Sequence, residues 1–359
     1  MFYFMQHISK GRGATLNLPG RFERHERQQV DDGWSILDEL TAEPGAATEV
    51  LPDRSRSLLA YNQSPDIGFD RSINPYRGCE HGCIYCYARP YHAFLGLSSG
   101  LDFETKIFAK YDAADVLRAE LADPSYVPQP IALGAATDPY QPVERRLRIT
   151  RSVLELLAEA RHPVGIVTKS AAVVRDVDVL QRLARDGLVR VQISVTTLDG
   201  DLARAMEPRC TVPARRLDAI RALHEAGVPV GVNVAPVIPG LTDHEIETIV
   251  AAAAAAGADN AFWTMVRLPG DVKLLFEDWL RLHRPDRTAH VLSLIRQVRG
   301  GKLNDPDFGS RMRGEGTFAQ VIARRFQLAM KRHGLGRREM PMRTDLFRRP
   351  DMTGQLSLF

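Results

Sequence analysis

HPVGIVTKS (162–170), VDVLQRLARDG (177–187) and LVRVQISVTT (188–197), with only AAVVRD (171–176) between the first two, read as strand, helix, strand. The outer two are short β-branched runs, and the middle one has a helical pattern closed by a glycine. The same rhythm runs on both sides. PIALGAATDPY (130–140) precedes RITRSVLELLAEAR (148–161), and ARRLDAIRALHEAG (214–227) follows the third segment. Then come VPVGVNVAPVIPG (228–240), DHEIETIVAAAAAAG (243–257) and ADNAFWTMVRLP (258–269). Strands alternating with helices imply a parallel sheet with right-handed crossovers. With a strand near Ser72 the rhythm amounts to six βα units, and FETKIFAK (103–110) supplies a further strand between the first two. Six is too few for a closed eight-stranded barrel, so a partial barrel or open α/β sheet is expected.

The strand 188–197 separates two faces. Val189, Val191, Ile193 and Val195 share the side that meets helices, and Arg190, Gln192, Ser194 and Thr196 share the other. The same alternation puts Lys169 with Gly165 and Val167, and Asn233 with Gly231 and Ala235. Single polar groups among small neighbours leave room for a ligand, whereas a purely structural lumen would be filled by branched apolar side chains. Catalytic parts gather at the carboxyl ends of such strands, where Cys79, Asp138, Lys169, Thr196 and Gly240 fall.

GCEHGCIYC (78–86) places three of the four cysteines, Cys79, Cys83 and Cys86, in one loop. Soft thiolates select iron–sulfur clusters, zinc or copper(I). A structural zinc site wants four closed ligands, usually two separated pairs. This loop has a triplet and no second pair, although His81 or the remote Cys210 leaves zinc open as an alternative. Three cysteines on a four-iron cubane leave one iron free for a substrate or cofactor. Four cysteines in 359 residues make no secreted disulfide framework. No apolar run reaches membrane-spanning length, and MFYFMQHISKGRG (1–13) is too short for a secretory core, so a cytoplasmic protein without membrane contact is expected.

C-x3-C-x-aromatic-C after a first strand resembles the radical S-adenosylmethionine (SAM) signature, here Cys79, Cys83, Tyr85 and Cys86. The wider string NPYRGCEHGCIYCYARPYH (74–92) is similar to the spore photoproduct lyase-like branch of that superfamily, and GRGATLNLPGRFERHE (11–26) resembles the leader of one bacterial subfamily. The resemblance implies a partial (β/α)6 radical-SAM-type barrel with a [4Fe–4S] cluster on the three cysteines. It also implies SAM on the open iron, with reductive cleavage to a 5′-deoxyadenosyl radical and an electron donor such as flavodoxin or ferredoxin. The pattern along the chain divides it into an irregular N-terminal extension (1–55), the barrel (56–270), a helical extension (271–340) and a flexible tail (341–359).

Residue by residue, the resemblance puts Tyr85 near the adenine, Thr137 and Asp138 (with Tyr140 behind them) at the SAM amino-group motif, and Lys169 on the SAM carboxylate. Ser194 matches a serine on the next strand. Ile238 and Gly240 match a glycine-rich adenine-side motif, in which Pro236 and Asp243 replace a glycine and a glutamate. Ala135 and Ala136 stand where spore photoproduct lyase carries a hydrogen-donor cysteine, so thymine-dimer reversal by that route is not expected. Cys210 reads as a stand-in for that donor or, more commonly, an ordinary loop residue, Glu207 and Arg209 as pocket-lining or, more commonly, a surface ion pair, and His81 as a neighbour of the ligands or exposed. Trp263, Met265 and Arg267 alternate on the last strand and suit either a lumen floor or core packing.

Between Arg311 and Pro350 eleven basic residues face three acids, Glu315, Glu339 and Asp345, which suits a polyanion or a solvated helix face. In that stretch FAQVIARRFQLAMKRHG (318–334) reads as a helix with Phe318, Val321, Ile322 and Ala329 on one face. The terminal QLSLF (Gln355, Leu356, Ser357, Leu358, Phe359) resembles the bacterial sliding-clamp-binding motif and implies a tie to DNA replication or repair. The expected activity is radical chemistry on DNA. RNA or peptide modification, or a non-catalytic zinc or redox-sensing nucleic-acid-binding protein, are the alternatives.

Overall fold

The computed structural model describes residues 11–18, 47–336 and 341–351. Its main sheet has seven strands in the order β10-β9-β8-β7-β6-β3-β2. These are β2 (Leu59–Tyr61), β3 (Arg71–Ile73), β6 (Ile131–Leu133), β7 (Val164–Thr168), β8 (Val189–Ser194), β9 (Val230–Val237) and β10 (Asn260–Met265). Six of them, β3 and β6 to β10, run parallel, and β2 joins β3 antiparallel. The protein is thus an α/β partial (β/α)6 barrel. A second sheet, β1-β5-β4, comprises β1 (Glu49–Pro52), β4 (Tyr76–Arg77) and β5 (Lys106–Ala109). FETKIFAK therefore contributes β5 to this small sheet and none to the barrel, and its first residues belong to the helix Leu101–Thr105.

The strand alternation sorts the core. Val164 and Ile166 of β7, Val191 and Ile193 of β8, and Val232 and Val234 of β9 are fully buried against the helices. Leu180, Leu183, Ile220, Leu223, Ile249 and Val250 meet them from the helix side. Each such side chain contributes about 1.5–3 kcal/mol on burial. Gly165, Val167, Lys169, Arg190, Gln192, Asn233 and Ala235, on the opposite face, stay half-buried, so the lumen is polar and open.

Three parts of the expected division shift. The boundary at residue 55 falls inside structure, because β1 pairs with β5 and residues 11–18 pack into the molecule. The helices Val272–His283 and Thr288–Gln297 of the expected extension are part of the site. Their Phe276, Trp279, Leu280 and Ile295 form a core with Ile84 and Tyr85 of the cysteine loop. Residues 341–351 are no free tail. Arg343 N–H donates to Gly187 O, Arg348 N–H to Ala160 O, and the Arg349 guanidinium to Asp123, Pro124 and Tyr126 carbonyls. Phe347 packs on Tyr126 and His162. These partners all precede barrel strands, so the segment straps the floor, and the Met342 methyl lies 3.9 Å from where a Cβ on Gly165 would stand. The QLSLF motif lies outside the described residues.

In the last helix, Gly316–Arg332, the buried face is Ala319, Ile322, Phe326 and Ala329, while Val321 is exposed. Trp263 and Met265 pack into the core, with Trp263 against Phe326. No helix among the described residues is long and apolar enough to cross a membrane.

Candidate active site

The cysteine loop follows β4 at the mouth of the barrel, where the parallel strands end. It is tight because Gly78 and Gly82 take positive φ (79° and 67°), a region that disfavours side chains. Cys79 and Cys83 are buried and Cys86 half-buried. Arg89 holds the loop from beneath. Its guanidinium is fully buried and donates to Cys83 O (2.9 Å), Gly82 O (3.1 Å), Ser99 O and Gly100 O, and pairs with Glu104 at 2.5 Å. The Glu104 carboxylate also accepts from the Gly13 and Ala14 N–H groups at 2.9 and 2.8 Å, so the segment 11–18 is stitched to the loop. A Cβ on Gly13 would stand 1.9 Å from Gly82 O, which fixes glycine there. On the other side Glu80 accepts from Val143 N–H (2.6 Å) and Thr48 Oγ1 (2.7 Å), and Arg209 reaches it at 3.2 Å. Sequence reading passed over Arg89, Glu80 and Glu104, whose partners lie far away along the chain.

A second group fills the lumen beside the loop. Lys169 Nζ lies 3.1 Å from Thr196 Oγ1, 3.1 Å from Ala235 O and 3.3 Å from Glu207 Oε1, above the Tyr85 ring. Glu207 is buried, not on the surface as expected. It accepts from Tyr85, Thr196 and the buried Arg216. Burial alone would raise its carboxyl. The charges of Arg216 and Lys169, with the two hydroxyl hydrogen bonds, hold it well below the ordinary carboxylate range. Glu207 therefore stays ionised and fixes Lys169 in the lumen. Cys210, expected to be an ordinary loop residue, lies with its sulfur 3.6 Å from that of Cys83.

The remaining expected contacts divide into residues that face the lumen and residues already engaged. Asp138 accepts from Thr168 Oγ1 (2.7 Å), Lys169 N–H (2.7 Å) and Tyr140 N–H (2.8 Å), and pairs with His81 at 3.3 Å. Burial opposes its ionisation, but His81 and these donors pull its carboxyl below the usual value. Asp138 thus ties the end of β7 to the cysteine loop, and His81 is buried rather than exposed. The Thr137 hydroxyl donates to Tyr76 O, and Asn74 Oδ1 accepts from the Ala136 and Thr137 N–H groups. Ala136 packs against the buried cluster of Cys79, Ala88 and Phe103. The Ser194 carbonyl accepts from Arg216, while Thr196, two residues on, sits at the centre of the polar group. Ile238 is buried, and the Gly240 N–H donates to Asp243 Oδ1 at 2.7 Å, so the aspartate in the glutamate slot closes its own turn.

The thiols suit a polynuclear cluster. Burial, then the charges of Cys83 and Cys79, push the Cys86 thiol up to about 12. The Cys86 thiol therefore needs cationic metal to ionise beside the other two. A cubane spreads its ligands over separate irons.

The comparisons agree with this geometry. Residues 73–253 match the radical SAM superfamily, so the chain belongs to that family. It is 35% identical over 243 residues to the uncharacterised protein Rv2578c of Mycobacterium tuberculosis, covering 66% of this chain and 72% of that one. It is 28% identical over 231 residues to the uncharacterised protein ORF301 of Acidianus two-tailed virus, 60% of this chain and 74% of that one. Among solved structures, spore photoproduct lyase complexed with dinucleoside spore photoproduct shares the fold, with TM-score 0.59, 16% identity and 79% of each chain covered. The protein is a radical SAM enzyme whose cofactors are a [4Fe–4S] cluster and SAM. When bound, they supply a carbon-centred radical by one-electron cleavage of a carbon–sulfur bond. The chain's own part is to hold the loop through Arg89 and Glu80, to present Lys169 in the lumen, and to exclude water with the helices over Ile84 and Tyr85.

Proposed function

We propose that this enzyme acts on DNA, in a repair-type reaction, with Cys79, Cys83 and Cys86 as the cluster ligands. Lys169 takes the SAM carboxylate. Tyr85, Thr137, Asp138, Ser194, Ile238 and Gly240 form the walls around SAM, several of them through the groups they hold in place rather than by contact. The observation that carries the DNA reading is the fold shared with spore photoproduct lyase over most of both chains. The basic stretch after Arg311 and the QLSLF terminus support it. With Ala135 and Ala136 at the donor position, the hydrogen atom comes from elsewhere. The electron donor is a small soluble protein such as flavodoxin or ferredoxin in the cytoplasm. Gln355, Leu356, Ser357, Leu358 and Phe359 bind the sliding clamp.

The test reconstitutes the protein with iron and sulfide without oxygen and adds SAM, dithionite and ultraviolet-irradiated DNA, intact DNA or RNA. Release of 5′-deoxyadenosine and the mass of the nucleic acid are followed, with Cys83→Ala as control. Irradiated DNA is expected to be altered and to accelerate 5′-deoxyadenosine release. Steady release with every nucleic acid unaltered ends the DNA reading. Deletion of 355–359 is expected to abolish retention on the purified sliding clamp, and undiminished retention removes the clamp from the account.

A further inference from the structure

At the mouth, beyond the end of β10, stands an arginine with no ion pair among the described residues; Asp66, already paired with Arg311, acts on it only at a distance. Arg267 is half-buried, and its Nε is enclosed with no hydrogen-bond partner among the described residues. Its Nη1 reaches only the Met312 sulfur, at 3.6 Å, and no carboxylate among the described residues pairs with it. The guanidinium lies over the Tyr87 ring, 5.3 Å from its centre. Tyr87 immediately follows Cys86, and its hydroxyl donates to Ala135 O, so it is a neutral neighbour. Arg311 is spoken for by Asp66, and Arg313 donates to Trp263 O while lying over the Trp263 ring at 4.7 Å. Three arginines therefore share one carboxylate.

The arrangement is held, not incidental. The Arg299 guanidinium donates to Met265 O, Val266 O, Ser310 O and Arg311 O, which staples the helix Ser310–Arg313 to the end of β10. A partly desolvated guanidinium with an orphaned N–H loses free energy unless an anion arrives to satisfy it. The fork of an arginine fits a phosphate through two parallel hydrogen bonds. On the 3-10 turn Arg89–Leu95, within electrostatic reach of Arg267, Tyr91 is 55% exposed. An exposed aromatic face near a cation is what a stacked base and its phosphate require.

We propose that Arg267 anchors a phosphodiester of a single-stranded or flipped-out stretch of nucleic acid at the barrel mouth, with Tyr91 offering a stacking face to a neighbouring base. This rests on the nucleic-acid reading above and names the residue that positions the substrate beside the cysteine loop. The experiment measures binding of fluorescein-labelled oligo(dT) to the anaerobically reconstituted full chain by anisotropy, across a salt series. Arg267→Ala is expected to weaken binding about tenfold and to make the log–log salt slope shallower by about 0.7, the release of one phosphate contact on a single strand. Arg267→Gln keeps the bulk and serves if the alanine variant does not fold. Arg221→Ala, on an outer helix, is the control. If oligo(dT) binds the wild type and both Arg267 variants alike, with the same slope, the anchor is overturned and the nucleic-acid reading stands. If the wild type does not bind it at all, that reading falls and the ligand named here falls with it.

Discussion

At the mouth of the barrel, where β7, β8 and β9 end, Lys169, Thr196, Glu207 and Arg216 bring two cations and a buried carboxylate together, and Arg89 and Glu104 form a second buried pair. At the floor, where the same strands begin, Met342, Leu346 and Phe347 close the fold with apolar contact around the neutral His162, and Arg343, Arg348 and Arg349 add hydrogen bonds to neutral backbone carbonyls. Buried ion pairs carry a large desolvation cost and stabilise less than well-packed apolar groups of similar volume. In the proposed reading the mouth holds them because one fixes the lysine offered to SAM and the other holds the tight cysteine loop. The floor has no such task and is built for stability alone. Substitutions at the mouth should therefore cost cofactor retention and turnover, and those at the floor should cost only stability.

The largest effect is expected from Arg89→Ala. It leaves Glu104 buried without its partner and removes four donors from the cysteine loop and its neighbours. A loss of about 3–5 kcal/mol is expected. Thermal unfolding reads the stability, and iron per chain after anaerobic reconstitution reads the loop. Retention of full iron by a destabilised variant would mean that the pair serves the fold and not the cluster. Lys169→Met comes next. Arg216 still neutralises Glu207, so the fold should persist and iron content should not change. Formation of 5′-deoxyadenosine from SAM should fall about 10²-fold, the worth of one charge-assisted contact to a carboxylate. Unchanged SAM turnover would remove Lys169 from the cofactor.

These two sites differ in how far the sequence reveals them. Lys169 is legible because alternation along one strand puts it on the lumen face with Gly165 and Val167, and alternation is a local property. The cysteines are legible from spacing in one loop. Glu207 is not. Its partners Tyr85, Lys169, Thr196 and Arg216 come from four separate segments, and MEPR by itself looks like any surface turn. Glu104 likewise gains its meaning from Gly13, Ala14 and Arg89. The strap at 341–351 was hidden by composition. Its arginines read as a solvated tail, yet Arg349 spends its donors on backbone carbonyls that the barrel's loops leave open. Strand order and the lumen follow from periodicity, whereas buried charge networks follow from which loops the fold brings together.

The floor has its own signature in acid. His162 is enclosed by Tyr126 and Phe347, with its Nδ1–H donating to Pro163 O and the Tyr126 hydroxyl donating to Nε2. Burial holds its pKa at about 4, below the ordinary 6.5. The unfolded chain therefore takes up this proton first. The stability it confers is complete above about pH 6.5 and is lost as pH falls toward 4, on the order of 2 kcal/mol by pH 5. His92, beside Phe103 and Phe108, has the same direction and cause and adds to the loss. Urea midpoints of wild type and His162→Gln at pH 7 and pH 5 separate the two. The variant should lose less stability between these pH values, and an equal loss in both proteins would place the acid sensitivity at the mouth.

The smallest effect is the sharpest test of the division of labour. Phe347 is half-buried, packed on Tyr126 and His162 and remote from the cysteine loop. Phe347→Ala should lose part of an aromatic side chain's burial, about 1–2 kcal/mol, less than a full core truncation because the ring is partly solvated to begin with. Iron content and the rate of SAM cleavage below the melting transition should match the wild type. The strap's backbone and arginine hydrogen bonds go to residues that precede strands, and Met342 lies under Gly165 at the start of β7. Should Phe347→Ala slow SAM cleavage at a temperature where it is fully folded, the floor would be transmitting strain through β7 to Lys169. The two ends of the barrel would then be one mechanical unit rather than two.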